Sequence, residues 1–150
     1  MILQRSDLES RYARTLLPLA RLWRQAADRA LDRIGLSAGA GWALVQIGRM
    51  GDDVRQTDLA RELDVSAAAL VRLLDGMVAA GQVERRRDAV DSRVSRVSLT
   101  VPGRALATQA EQVLHALRHD ILSGESDADL AVALGVAERL RARIAGRRGP

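Results

Sequence analysis

The 150-residue chain has no cysteine, no phenylalanine and, among its 23 basic residues, no lysine; proline occurs three times and aromatic residues make up 2%. Without cysteine there is no disulfide, no thiol nucleophile or redox switch, and no thiolate-ligated zinc. His115 and His119 stand one helical turn apart, a spacing able to hold a metal, but two ligands are too few for a site, so neither a metal nor a cofactor is expected. The scarcity of aromatics leaves Leu, Val, Ile and Ala to build the core, which favours helix packing over an aromatic-rich sandwich. No apolar run approaches the length of about 18 residues that a membrane span needs. The opening MILQRSDLESRYARTLLPLARLW breaks its apolar residues with charge every few positions, unlike a secretory signal, so the expected location is cytoplasmic, with no membrane partner.

What is present is an ordinary globular balance, 47% apolar, with a net charge of +4. The charge is compatible with a nucleic-acid partner but weak as a signal. Between residues 55 and 104 nine arginines face seven acidic residues, a surplus of only two, and the exclusive use of arginine over lysine points to coding composition. The order of the elements carries more information than their charge.

Residues 56–100 read as a short helix, a tight turn, a longer helix and an arginine-studded hairpin. Thr57 is placed to cap the short helix, on which Leu59 and Leu63 share a face; Asp64 and Val65 make the turn. Ser66 caps the second helix, expected over residues 67–80, where Leu70, Leu73, Leu74, Met77 and Val78 form the apolar stripe and Ala68, Ala69, Arg72 and Asp75 face outward. Gly81 suits the left-handed position just past its end. This order is that of a helix-turn-helix, which offers the start of its second helix to a DNA major groove. The hairpin follows, with strands at 83–87 and 94–100 and the turn-rich DAVDSR between them. An arginine at such a tip suits the minor groove, and Arg93 is the candidate, with Asp91 close enough to orient its guanidinium beforehand. Strand alternation cannot point Arg85, Arg86 and Arg87 all one way, so each is balanced between nucleic-acid contact and a solvated surface role.

Outside this reader, Leu8, Tyr12, Leu16, Leu19, Trp23, Ala27, Leu31 and Ile34 describe a long amphipathic helix containing Pro18 and ended by Gly35. A helix from Ala38 to Arg49, capped by Ser37, leads to a turn at 50–52. After Pro102, Leu106, Ala110, Val113, Leu114, Leu117 and Ile121 mark another helix; SGESD breaks it; Leu130, Leu134, Ala137, Leu140 and Ile144 mark the last, before a loose basic tail at 146–150. These flanking helices carry more apolar face than the small reader covers, so a second copy is expected to bury it, setting two recognition helices about 34–36 Å apart on an inverted repeat.

The chain resembles the MarR transcriptional regulators, in particular their SlyA-like branch, over about residues 19–106. The carriers are LARLWRQAADRAL, QTDLARELDVS, LVRLLDGMVAAGQVERR and DSRVSRVSLTVPGRAL, with the Asp-x-Arg wing followed by Leu-Thr-x-x-Gly as the specific combination. The resemblance implies a mainly α fold with a small β-hairpin wing: one domain over 1–150, its winged helix-turn-helix at about 37–100 and dimerisation helices at about 7–34 and 102–145. It implies a homodimeric repressor of double-stranded DNA, released by a small aromatic or phenolic anion as effector. Gln56, Thr57, Ser66, Ala68, Ala69 and Arg72 would lie near DNA, joined by Arg85, Arg86, Asp91 and Arg93 of the wing. Tyr12, Trp23 and Trp42 fall on helices that border an effector pocket in the family, although core packing is the favoured role for such rings. The chain departs from the pattern at Ala69, Val71 and Ser95, where polar or basic residues are common, and at Ala89, which lacks the usual wing proline. Specificity then leans on Arg72, Arg93 and DNA shape. The competing reading is a winged-helix module for protein contact alone; no enzyme motif is recognisable, and no enzymatic activity is expected.

Overall fold

The structure, a computed structural model, describes residues 4–147. It is mainly helical: α1 (Arg5–Asp32), α2 (Ala38–Arg49), α3 (Gln56–Leu63), α4 (Ala67–Ala79), α5 (Val101–Leu122) and α6 (Asp127–Gly146), with short strands β1 (Val54–Arg55), β2 (Val83–Arg87) and β3 (Ser95–Leu99). The chain divides into two compact units, with the boundary between Leu117 and Arg118, inside α5.

In the first unit, the apolar residues of α2, α3, α4 and the sheet close on one another. Leu44, Ile47, Leu59, Leu70, Leu74, Val83 and Val97 are fully buried, and Leu31 of α1 joins them. This is the helical core that a chain without phenylalanine requires. The C-terminal end of α1 contributes Ala27, Ala30 and Leu31 to it, whereas Leu8, Leu16, Leu19 and Leu22, earlier on the helix, stay exposed. The helix continues through Pro18. Met77 of the α4 stripe is buried, while Val78 lies at its exposed margin.

The helix ends follow local chemistry. Ser37 accepts a hydrogen bond from the Ala40 amide and Ser66 from the Ala69 amide, each satisfying a first-turn donor, as expected. Thr57 does not cap α3: the N-cap is Arg55, without a side-chain bond, and Thr57 sits inside the first turn. The extended backbone of β1 runs directly into the helix, leaving no loop residue to cap it. Asp64 turns left-handed at the end of α3, and Gly81 does so after α4 with φ +70°. Gly35 lies in the turn beyond the end of α1 rather than at its last residue.

The expected two-stranded hairpin is a three-stranded antiparallel sheet, ordered β1-β3-β2. Two residues are too few to register as a strand in sequence, and β1 exists because Val54 and Arg55 pair with Val97 and Arg96. The residue expected to end the hairpin, Thr100, starts the next helix instead. Its hydroxyl accepts from the Gly103 amide at 3.0 Å and donates to the Gly81 carbonyl at 2.6 Å, joining the end of α4 to the start of α5. Gly103 must be glycine at this junction, since a Cβ there would lie 1.7 Å from the Gln82 carbonyl oxygen.

In the second unit, Ser126 accepts from the Asp129 amide and donates to the Asp129 carboxylate, a reciprocal cap on α6. No residue of α6 is buried; Val132, Leu134 and Ile144 are exposed. Of the basic tail at 146–150, Gly146 ends α6 and Arg147 caps it, while residues 148–150 lie outside the described residues. No described helix is long and apolar enough to cross a membrane.

The junction makes the first test. Gly103→Ala forces the α5 start away from Gln82 and is expected to destabilise the fold by about 1–3 kcal/mol, the usual scale of overpacking, read as a lowered urea midpoint. An unchanged midpoint would show that the two segments separate freely.

Candidate nucleic-acid interface

The surface that combines α3, the N-terminal end of α4 and the β2–β3 wing begins with a turn of unusual backbone. Gly51, Asp52 and Asp53 all have positive φ, at +92°, +62° and +49°. Aspartate tolerates this region better than most residues because its side chain bonds to nearby backbone. The Asp52 Oδ1 accepts from the Asp53 amide at 2.9 Å and from the Leu99 amide of β3 at 2.8 Å, while its Oδ2 accepts from Arg104 at 2.6 Å. Burial pushes the Asp52 carboxyl up, and the bonds from Leu99, Asp53 and Arg104 together outweigh it, leaving the pKa below the ordinary 3.8.

Asp53 handles a charge conflict in the sheet. Arg86 and Arg96 are directly opposite across β2 and β3, a like-charge pair that would open the ladder if left alone. The Asp53 carboxylate lies between them, accepting from Arg86 at 2.6 Å and from Arg96 at 3.2 Å. The bond from Arg96 and then that from Arg86 lower its pKa against the effect of burial. Arg96 also donates to the Asp53 carbonyl and, at 3.3 Å, to Asp88.

Asp88 carries the network into the wing tip. Its Oδ2 accepts from the amides of Asp91 at 3.1 Å and Val90 at 3.0 Å, and these two bonds are the main reason its pKa is lowered. The loop without proline at Ala89 is closed in this way, together with backbone bonds between Asp88 and Val94 and between Val94 and Asp91. Asp91 then holds Arg93: its Oδ1 accepts from the guanidinium Nε at 3.1 Å and the backbone amide at 3.0 Å, and its Oδ2 from the guanidinium at 3.2 Å. The side-chain bond from Arg93, followed by that from the Arg93 amide, lowers the Asp91 pKa. The Arg93 side chain is 89% exposed, so the wing tip presents an oriented cation to solvent.

The other sequence-predicted residues fall in several environments. Ser66 is the α4 cap and Ala69 supplies the amide it bonds; Ala68 and Arg72 are exposed on the same helix. Gln56 and Thr57 open α3 and line a cleft of about 290 Å³ with Arg55, Ala60, Ala67, Leu70, Arg93, Val94 and Ser95. Arg85 and Arg86 point to opposite sides of the sheet, Arg85 bonded to Asp75 of α4 and Arg86 to Asp53. Arg87 donates to the Ser92 carbonyl at 3.0 Å. Asp52, Asp53, Asp88 and Arg96 organise the wing but were not singled out from sequence, because their partners lie up to 52 residues away along the chain.

The aromatic residues do not form one group. Tyr12 is exposed on the first half of α1 and Trp23 is half-buried further along it. Trp42 of α2 is also half-buried; its indole N–H donates to Asp28 at 2.8 Å, and the Arg24 guanidinium lies 4.5 Å from its ring centroid. One face and the polar edge of this ring are thus engaged in joining α1 to α2.

A helix-turn-helix followed by an antiparallel wing with an oriented arginine at its tip defines a winged-helix protein. A model of the MarR family matches residues 34–94. The crystal structure of transcriptional regulator PA3341 is similar over 90% of this chain and 98% of that one, at 30% identity and a TM-score of 0.82. A mutant MarR from E. coli complexed with operator DNA is similar over 84% of this chain and 95% of that one, at 25% identity and a TM-score of 0.69. Wild-type MarR from E. coli in its apo form shares the fold over 93% of this chain and 98% of that one, at 22% identity and a TM-score of 0.72. The chain thus carries a MarR-family domain within a fold that it shares with MarR regulators.

The four aspartates make stability depend on acid. A carboxyl whose pKa is lowered on folding stabilises the fold above its unfolded value and loses that contribution as pH falls through its folded value. For Asp52, Asp53, Asp88 and Asp91 the ordinary value is 3.8 and all four shifts are downward, so stability is expected to decline progressively below that pH. Urea midpoints measured from about pH 6 to about pH 3 check this; a constant midpoint would uncouple these carboxylates from folding.

Proposed function

We propose that this protein is a homodimeric transcriptional repressor that reads an inverted repeat, with the start of α4 in the major groove and Arg93 in the adjacent minor groove. The observation that carries this reading is the bidentate Asp91–Arg93 pair on an exposed wing tip. A guanidinium held in position before binding loses less side-chain entropy when it enters a narrow groove. Ser66, Ala68, Ala69 and Arg72 form the approach surface of α4, where small side chains let the backbone come close to the bases and Arg72 supplies the long polar reach. Arg85 and Arg86 act mainly as wing braces, since each already has a carboxylate partner. The Asp-x-Arg wing and the following Leu-Thr-x-x-Gly support the SlyA-like branch.

The dimer reading rests on surplus apolar surface. Leu8, Leu16, Leu19 and Leu22 are 42–62% exposed on α1, and Val132, Leu134 and Ile144 are 59–67% exposed on α6. Helices at about 7–34 and 102–145 would bury these faces in a symmetric pair, leaving the winged helix at about 37–100 to the DNA. Equilibrium sedimentation is expected to give a dimer, and Leu19→Glu to shift it toward monomer; a monomeric wild-type chain would contradict the inverted-repeat geometry. A small aromatic or phenolic anion is the proposed effector. Trp23 and Tyr12 remain more available to it than Trp42, whose ring already serves Arg24 and Asp28.

The DNA reading is tested by retardation of the DNA upstream of the protein's own gene across a salt series. Affinity is expected in the nanomolar range and to fall steeply with salt as phosphate contacts release counterions. Arg93→Ala should weaken binding by about 1–3 kcal/mol while leaving the fold intact, on the scale of one good groove contact. Absence of binding at low salt, or indifference to salt, would favour the protein-contact module.

A further inference from the structure

The sheet carries a row of three arginines. Register places Arg86 of β2 opposite Arg96 of β3, and Arg96 opposite Arg55 of β1, so three cations lie side by side across the strands. Cross-strand like charges destabilise a sheet unless anions intervene. Asp53 serves both Arg86 and Arg96, and Asp88 serves Arg96 again. Asp91 is taken by Arg93. Four arginines, at 55, 86, 93 and 96, therefore share three aspartates, at 53, 88 and 91, and the unmatched charge belongs to Arg55. The electrostatic influence of Arg55 reaches Asp88 and Asp91, but among the described residues no carboxylate lies within ion-pair distance of it.

Three further observations point to what completes this row. Arg55 is the N-cap residue of α3 and no side chain caps that helix; Asp58 in its first turn is paired with Arg61, so the positive end of the dipole lies on the same side as the guanidinium. Arg55 also lines the cleft between the start of α3 and the wing, where the hydroxyl-bearing Thr57 and Ser95 and the wing arginine Arg93 join it. Finally, Arg55 differs from most arginines of the reader in having nothing to give up. Arg85, Arg86, Arg93, Arg96 and Arg104 would each have to leave or share an existing carboxylate to take a new anion.

We propose that Arg55 is a DNA-contacting residue, and that the cleft between α3 and the wing seats one backbone phosphate flanking the groove entered by Arg93. This rests on the DNA-binding reading above and adds a residue to it. The phosphate neutralises the unmatched end of the arginine row, receives the dipole of α3, and meets hydroxyl donors on both sides. Such a contact fixes register on the duplex and carries no base preference of its own. Arg55 is thus a positioning contact and Arg93 a groove contact, and the two are separable by experiment.

The test uses the full-length protein and the DNA bound by the wild type, with Arg55→Gln, Arg55→Lys and Arg93→Ala compared across salt concentrations and on operator and unrelated DNA. Arg55→Gln is expected to weaken both DNAs by the same factor and to lower the slope of log affinity against log salt by about one for each protomer. Arg55→Lys, which keeps the charge, should retain the wild-type slope. Arg93→Ala should weaken the operator more than the unrelated DNA. Wild-type affinity and slope for Arg55→Gln, with Arg93→Ala impaired, would overturn the phosphate seat and leave the reader standing. Weaker binding with an unchanged slope would make Arg55 a structural residue and also overturn it. If neither Arg55→Gln nor Arg93→Ala affects binding, the phosphate seat and the Arg93 groove contact fall together, whereas a wild type that binds neither DNA removes the DNA reading itself.

Discussion

The winged surface depends on two consecutive aspartates held in a left-handed turn. Asp52 and Asp53 accept bonds from Leu99, Arg86, Arg96 and Arg104, and so connect the end of α2 to both long strands and to the start of α5. The turn conformation is itself costly for residues with a Cβ. It persists because the carboxylates it aims at the sheet satisfy the Leu99 amide at the end of β3 and stand between two arginines facing each other across the strands, of which only Arg96 has a second anion, Asp88. Remove that turn and β1 has no reason to exist, since its two residues pair with β3 immediately after it.

Arginine content is a poor guide to the charge this surface offers. Arg85 is matched by Asp75, Arg86 and Arg96 by Asp53 and Asp88, and Arg104 by Asp52. These cations stiffen the wing; they add little field at a distance, because each is seen together with its counter-charge. In the proposed reading an external polyanion meets a small set placed by the fold: Arg72 on α4, Arg93 at the tip, held by Asp91 but 89% exposed, and Arg55 at the start of α3. The modest net charge of +4 is consistent with that economy of placement.

The helical part of this architecture is written in short-range signals. Ser37 and Ser66 cap where capping chemistry places them, Gly81 turns left-handed past α4, and Leu70, Leu74 and Met77 of the apolar stripe are buried because 3.6-residue periodicity puts those side chains on one face. Asp91 and Arg93 are likewise two residues apart, and their pairing was readable from that spacing. The failures share one cause. The capping role of Thr100, the strand at Val54 and the charge-balancing role of Asp53 are all fixed by partners distant in sequence, whose positions only the closed sheet determines. Thr57 misled because its residue type suits a cap, while the strand running straight into α3 makes Arg55 the cap position. The isolation of Arg55 is not legible in sequence for a related reason: it exists only because the folded sheet gives Asp53, Asp88 and Asp91 to other arginines.

The strength of the Asp91–Arg93 pair sets what the wing can do. A buried ion pair would hold the guanidinium firmly, and releasing it to another anion would leave an uncompensated charge in a low dielectric. This pair is instead largely exposed, 89% on the arginine side and 41% on the aspartate side, so water and salt screen it and the tie is weak. A weak tie of good geometry still narrows the rotamers that Arg93 samples, because two guanidinium nitrogens and the backbone amide converge on one carboxylate. The carboxylate that receives them is fixed in turn through the Asp88 side chain, the Arg96 guanidinium and the Asp53 turn. Rigidity therefore increases from the tip of the wing toward its base. A groove-entering arginine needs that gradient: oriented enough to lose little entropy on binding, yet loosely enough held that a phosphate-lined groove can take over from Asp91 without disturbing the sheet beneath.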